Sequence, residues 1–176
     1  DNGHIIRWAE AGGDHAAMSF EWDIYLFATP YDLTAENLSQ LNDSNDLSSP
    51  DGLYFDPRGV LWIQTDDGAY TDTSSCMLLA ALPGKVSDGT AITTSAGQQT
   101  RIGMPANNDN IKRFFVGPEG CEVTGITMAP DFKTLFINIQ HPGNTWGAIA
   151  GGSTPRSATV MITREDGDVI LAESFV

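Results

Sequence analysis

Hydrophobic and polar residues alternate along much of this chain with a period of two. Between residues 18 and 26 every second side chain is apolar, and polar Ser19, Glu21 and Asp23 fall between them. This alternation is typical of a β-strand with one apolar face. Residues 60–63 are apolar throughout, which predicts a short strand buried on both faces. The alternating apolar residues are Met18, Phe20, Trp22, Ile24 and Leu26.

Shorter apolar segments, bounded by turn residues, predict further strands. Residues 77–82 suit a helix or a strand, but Pro83-Gly84 ends the segment abruptly, which favours a strand. The pattern predicts only one short helix, at 34–41, with Asp32 as its N-cap. The long polar segments 42–49 and 87–110 are predicted to be loops. The remaining strands are expected at 4–8, 111–116, 135–139, 159–163 and 169–171.

One pattern occurs twice in the chain, with an offset of 73 residues between Gly52 and Gly125. Each copy contains glycine, alternating apolar positions and proline, followed by a turn and an apolar triplet. Each copy therefore predicts a hairpin, with two more strands before the next copy. Four antiparallel strands per repeat are typical of a propeller blade. The sequence thus predicts an all-β fold, a partial β-propeller of about two and a half four-stranded antiparallel blades.

In this scheme residues 1–176 are a single fragment of a larger propeller domain. Residues 4–27 supply part of a blade, 52–116 form one blade and 123–175 form another, while 28–51 are a loop that contains the short helix. A closed propeller has at least about four blades. We therefore expect the missing blades in the upstream part of the same polypeptide. Exposed sheet edges also favour self-association of the fragment.

Composition and charge narrow the classes of partner. The chain has 9 Lys and Arg against 23 Asp and Glu, a net charge of −14, without a basic cluster. Nucleic acid and anionic lipid are therefore poor partners, and no apolar run approaches the ~20 residues that span a bilayer. Most of the acids are expected to be solvated. Cys76 and Cys121 are too few for a disulfide framework, and two buried thiols are favoured over one bridge.

Four acidic residues and one histidine fall where a propeller has the mouth of its channel. The links between blades, and the connections that follow each hairpin, return to the same face. The topology therefore brings Asp51, Asp66, Asp67, Glu122 and His141 to one rim. Converging carboxylates suit Ca²⁺ or Mg²⁺, and an added histidine also admits a transition metal.

Each of these residues also has a structural interpretation. Asp51 precedes a glycine and suits a turn, Asp66 and Asp67 are best explained as a solvated loop, and His141 as a turn cap. Glu122 lies among core residues, where a carboxylate needs a partner or a metal. Asp51 and Glu122 are therefore the predicted metal ligands, and no catalytic residue is assigned.

Six sequence blocks occur in a fixed order: residues 4–8 (HIIRW), 20–23 (FEWD), 49–53 (SPDGL), 59–65 (GVLWIQT), 117–125 (GPEGCEVTG) and 138–143 (NIQHPG). This series resembles the C-terminal part of the PhoX-type bacterial alkaline phosphatases. The resemblance covers nearly the whole chain. It implies a β-propeller phosphomonoesterase that is periplasmic or secreted and depends on calcium and iron.

The resemblance also bears on the site. Asp51 matches the position of a calcium ligand, and Glu122 lies in a block that lines the same mouth. The family's further acidic ligands, its iron-bridging cysteine and an Arg-Pro-Glu block lie upstream of the matched segment, so iron would be held outside this chain. We therefore expect an active phosphatase parent that hydrolyses phosphate esters, and an inactive isolated chain. The alternatives are a calcium-binding or interaction propeller module without catalysis, and a structural remnant whose rim acids are only solvated.

Overall fold

Eleven β-strands and one 3₁₀ turn, Ala11–Gly13, are the regular elements of the computed structural model, which describes residues 2–66, 74–171 and 175. In these ranges no helix has the length and apolar character needed to cross a membrane. The strands are β1 His4–Glu10, β2 Phe20–Phe27, β3 Pro50–Phe55, β4 Leu61–Thr65, β5 Met77–Ala81, β6 Ala91–Thr93, β7 Gln99–Arg101, β8 Ile111–Val116, β9 Glu122–Met128, β10 Thr134–Gln140 and β11 Ala158–Thr163.

Within the described ranges the strands form four antiparallel sheets. The largest has the order β3-β4-β5-β8, the second has the order β11-β10-β9, and β1-β2 and β6-β7 are two-stranded. The prediction of an all-β antiparallel fold is therefore confirmed. None of the described sheets closes on itself. The first copy of the repeat forms a four-stranded sheet, whereas the second forms a three-stranded one.

Three predictions of local structure are wrong. The segment 87–110, predicted to be a loop, contains the β6-β7 hairpin. Residues 34–41 form successive turns instead of a helix. The Asn37 side chain accepts a hydrogen bond from the Leu41 N–H and donates one to the Leu41 carbonyl, both at 2.8 Å. It thereby competes with the backbone bonds of a helix. The segment 169–171 is not a strand. The Ile170 N–H donates a hydrogen bond to the Phe132 carbonyl at 2.8 Å, but this bond does not belong to a strand ladder.

The two repeat glycines make room for amide side chains on the neighbouring strand. A Cβ atom on Gly52 would lie 2.7 Å from Gln64 Oε1, and one on Gly125 would collide with Asn138 Nδ2. Gly125 also adopts a left-handed conformation, with φ of +61°, which glycine accommodates without steric cost. Gln64 and Asn138 thus occupy equivalent places on the second strand of each hairpin. The sequence repeat is therefore also a repeat of local structure.

Two apolar clusters lie on opposite sides of the four-stranded sheet. β4 and β5 are buried at every position, and their side chains alternate between the clusters. Leu61 and Ile63 point into the first cluster, which includes residues of β1 and β2. Trp62 and Leu78 point into the second, which includes residues of β9 and β10. The prediction that 60–63 is buried on both faces is confirmed.

The β1-β2 hairpin leaves part of its apolar surface exposed. Trp8 and Trp22 lie opposite each other in the register and are 62 % and 50 % exposed, and Phe20 is 61 % exposed. Met18, at the start of the alternating pattern, precedes the strand and is fully exposed. The alternation therefore predicted strand β2 correctly. Only the second half of β2 is covered by other elements.

Candidate metal site

Asp66, Glu122 and His141 meet where two β-hairpins open. Glu122 begins β9 and pairs with Gln140, the last residue of β10, so that His141 follows directly. Asp66 follows β4, and its N–H donates to the Ser49 carbonyl at 3.2 Å. One ligand atom of each of the three side chains lies within 4.8 Å of the other two. This spacing allows a single metal ion to contact all three.

The three side chains differ in their exposure to solvent. Glu122 is 8 % exposed, whereas Asp66 and His141 are exposed. Glu122 Oε2 lies 3.6 Å from His141 Nε2, and no hydrogen bond to this carboxylate is found among the described residues. A carboxylate that is largely shielded from water loses much of its favourable solvation. A cation bound beside it would compensate that loss.

A backbone carbonyl orients the His141 ring. Nδ1 lies 3.1 Å from the Gly120 oxygen. Because a carbonyl oxygen only accepts, Nδ1 carries the proton of this bond, which leaves Nε2 as the ring nitrogen that could bind a metal. This pattern, with one nitrogen bound to a carbonyl and the other free to ligate, is typical of metal-binding histidines. The His141 N–H donates to Ser157 Oγ at 3.0 Å, which holds the residue at φ of +38°.

The structure brings together only some of the predicted rim residues. Asp51 lies on β3, near the strand end that Asp66 follows, with an exposed side chain, but it does not belong to the cluster found among the described residues. Asp67 lies outside the described residues. The sequence brings Asp66 and His141 to the rim, although their positions also suit a solvated loop and a turn cap. Their equivalent places, each directly after the second strand of a hairpin, were the signal that links them to Glu122.

Three arginines of the fold are engaged away from this cluster. Arg7, Arg58 and Arg113 each form a salt bridge with a buried aspartate in another part of the structure. No hydrogen bond or salt bridge in the described ranges joins an arginine to the three clustered residues. Two carboxylates and one imidazole are a donor set that favours a cation over an anion.

Comparison with known proteins places these observations in a family. The family model described as Alkaline phosphatase PhoX matches residues 1–143. The structure of Pseudomonas fluorescens PhoX in complex with vanadate, a transition state analogue, is similar to this chain, with a TM-score of 0.75 and 36 % sequence identity. The match covers 96 % of this chain but 27 % of the Pseudomonas chain, so this chain spans about a quarter of that length. No curated protein matches the chain.

The two matches agree with the resemblance inferred from the sequence blocks. The family model spans most of the chain and includes Asp51, Asp66, Glu122 and His141. The structural match extends beyond it to nearly the whole chain and fits a propeller-like arrangement of the antiparallel sheets. The chain belongs to the PhoX alkaline phosphatase family.

Proposed function

We propose that this chain is the C-terminal propeller portion of a metal-dependent phosphomonoesterase, an alkaline phosphatase, and that it supplies ligands to the metal centre. The observation that carries the proposal is the convergence of Asp66, Glu122 and His141, with Glu122 only 8 % exposed. Membership of the PhoX family supports the phosphatase chemistry. The activity belongs to the whole protein, of which this chain matches about a quarter.

The donor set fits a metal. Carboxylate oxygens suit Ca²⁺, and the imidazole nitrogen makes the same cluster suitable for a transition metal. We assign Asp51 and Glu122 to calcium binding, with iron held by ligands outside this chain. When bound, such metals polarise the phosphoryl group and stabilise its developing negative charge. Within this chain, the Gly120 carbonyl orients the His141 ring.

The remaining elements of the active enzyme are proposed to lie in the upstream part of the same polypeptide. These comprise the other blades, the further acidic ligands and the groups that contact the phosphate ester. The family resemblance favours a bacterial enzyme that acts in the periplasm or after secretion. By itself the chain offers no nucleophile or arginine at the described site. The isolated chain is therefore expected not to hydrolyse phosphate esters.

Isothermal titration calorimetry tests the metal site directly. We expect CaCl₂ or MnCl₂, titrated separately, to bind the wild-type chain. Glu122→Gln keeps the shape of the side chain but removes its charge, and should abolish binding of the metal that the cluster holds. Asp131→Asn is a matched control, because Asp131 is an exposed carboxylate in the turn at the opposite end of β9. Binding by Glu122→Gln with wild-type affinity, or no binding of either metal to the wild type, would overturn the site.

Asp51 is tested separately, because it lies outside the cluster. If it is a calcium ligand, Asp51→Asn weakens Ca²⁺ binding while Asp131→Asn does not. Equal Ca²⁺ affinity in the two variants would remove Asp51 from the site and leave the cluster intact.

Reconstitution tests the catalytic part of the proposal. Mixing the chain with the upstream part of a PhoX protein, in the presence of calcium and iron, is expected to restore hydrolysis of p-nitrophenyl phosphate. Hydrolysis by the isolated chain at the rate of a full-length homologue would contradict the expectation of inactivity. A calcium-binding module without catalysis is the alternative, favoured by the engagement of Arg7, Arg58 and Arg113 in salt bridges elsewhere. Metal binding that survives in a reconstituted but inactive protein would support that alternative.

A further inference from the structure

Cys76 and Cys121 lie at the junction between the two largest sheets. Cys76 directly precedes β5 of the four-stranded sheet, and Cys121 directly precedes β9 of the three-stranded sheet. Both belong to the same apolar cluster, where they are 2 % and 3 % exposed. Neither forms a disulfide in this structure, which agrees with the sequence-based preference for two buried thiols.

Gly117 brings the two cysteines side by side. Its N–H donates to the Cys76 carbonyl at 2.8 Å, which continues the ladder in which Met77 pairs with Val116. Residues opposite each other in such a ladder have Cβ positions about 4.5–5.5 Å apart on the same face. A Cβ on Gly117 would overlap the Cys121 sulfur. The Cys121 sulfur therefore occupies the space that Gly117 leaves open, beside the side chain of Cys76.

The environment of the pair also determines when it can react. Both cysteine side chains are almost completely shielded from solvent. Thiol–disulfide exchange requires a thiolate to reach the oxidant, and burial prevents that contact in the folded chain. Exchange is much faster while the chain is still folding and both thiols are accessible.

We propose that Cys76 and Cys121 form an intramolecular disulfide when the chain folds in the presence of a disulfide oxidant, and that this bond joins the four-stranded sheet to β9 beside Glu122. One cysteine thiolate attacks the oxidant and forms a mixed disulfide, releasing one thiol of the oxidant. The second thiolate then attacks the protein sulfur and releases the other. Two protein thiols are oxidised, and one disulfide of the oxidant is reduced to two thiols.

Refolding under controlled redox conditions tests this proposal. The urea-unfolded chain is refolded in a mixture of oxidised and reduced glutathione or in dithiothreitol, then denatured and alkylated with N-ethylmaleimide. Intact mass spectrometry should show no alkylation and the loss of two hydrogen atoms after oxidative refolding, but two alkylated cysteines after refolding in dithiothreitol. The already folded chain, exposed to the same glutathione mixture, should form the bond many-fold more slowly.

Two further measurements make the outcome specific. Non-reducing proteolysis of the oxidised wild type should yield one peptide pair that joins Cys76 to Cys121, a test that requires no variant. Cys76→Ser and Cys121→Ser should each retain one thiol or carry one glutathione adduct. Two alkylated thiols in the oxidatively refolded wild type, or only glutathione adducts and disulfide-linked dimers, would overturn the proposal.

Discussion

Replacing Asp56 by asparagine tests how much one buried carboxylate contributes to the contact between the two largest sheets. The Asp56 side chain is fully buried and accepts hydrogen bonds from the Arg58 guanidinium at 2.7 Å and from Trp62 Nε1 at 3.2 Å. Arg58 also donates to the Ile170 carbonyl at 2.8 Å and lies 4.7 Å from the centre of the Phe132 ring. Through Arg58, the carboxylate thus connects the turn after β3 to residues that follow β9 and β11.

The size of the effect follows from these contacts. Asparagine has the shape of aspartate but lacks its charge, and its amide NH₂ would face donors on Arg58 and Trp62. Removing one partner of a buried ion pair typically costs ~3–5 kcal/mol. We expect a loss of about 3 kcal/mol in the free energy of unfolding, because Arg58 is partly exposed and keeps the Ile170 carbonyl. With a urea m-value of about 2 kcal/mol/M, the unfolding midpoint falls by ~1.5 M.

Urea unfolding, followed by tryptophan fluorescence and circular dichroism, measures this change. The chain offers a matched control, because Arg164 and Asp166 form a pair with the same sequence separation at 2.5 Å, with side chains 38 % and 55 % exposed. Asp166→Asn should leave the midpoint almost unchanged, since exposed ion pairs contribute little. If Asp56→Asn and Asp166→Asn shift the midpoint equally, burial does not determine the contribution of the Asp56 carboxylate.

The same carboxylate predicts a dependence of stability on pH. Burial opposes the charge of Asp56, but its hydrogen bonds from Arg58 and Trp62 outweigh burial and lower its pKa. An unfolded aspartate has a pKa of about 3.9. The stabilisation is therefore fully present above about pH 4 and is lost as the pH falls through the lower pKa of the folded state. The difference in midpoint between wild type and Asp56→Asn should narrow with acidification below about pH 4.

Two further substitutions follow from the β1-β2 hairpin. Asp88→Asn removes one salt bridge of Arg7, at 2.5 Å, but Arg7 keeps its salt bridge to Asp23 at 2.7 Å. Urea unfolding should therefore show that the free energy of unfolding falls by only about 1 kcal/mol. No change, or a change as large as for a fully buried ion pair, would contradict this reasoning. Trp8→Lys should reduce self-association through the exposed apolar surface of the hairpin, whereas Ile149→Lys, equally exposed outside it, should not. Sedimentation velocity at several protein concentrations measures the self-association of the wild type, Trp8→Lys and Ile149→Lys. A wild-type chain that stays monomeric at every concentration would rule out this association.

The positions of most strands were predictable because a period of two reflects strand geometry directly. β2, β4 and β10 lie where the alternation and the apolar runs indicate them. Which face of a strand is covered depends instead on residues distant in sequence. Phe20 and Trp22 therefore remain exposed despite their regular spacing. Local competition was also missed, since the Asn37 side chain takes up hydrogen bonds that a helix would need.

The candidate site was predictable in part. The burial of Glu122 was predictable because its neighbours in the sequence are core residues, and the structure confirms it. Asp66 and His141 could be brought to the same rim from topology, but their closeness to Glu122 depends on how the hairpin ends are arranged in space. The orientation of the His141 ring was not predictable, because its partner is the backbone carbonyl of Gly120 and neither residue type nor spacing indicates such a contact.

The alternation of β4 and β5 side chains between two apolar clusters has a consequence for cooperativity. Each cluster uses one face of the same two strands, so losing either neighbouring sheet exposes a face that is otherwise fully buried. Neither apolar cluster can lose its packing without destabilising β4 and β5, which both clusters share. The amides of β4 and β5 should therefore exchange with deuterium only through global unfolding, whereas those of β1 and β11 exchange through local opening. Despite its two cores, the chain should behave as a single cooperative unit.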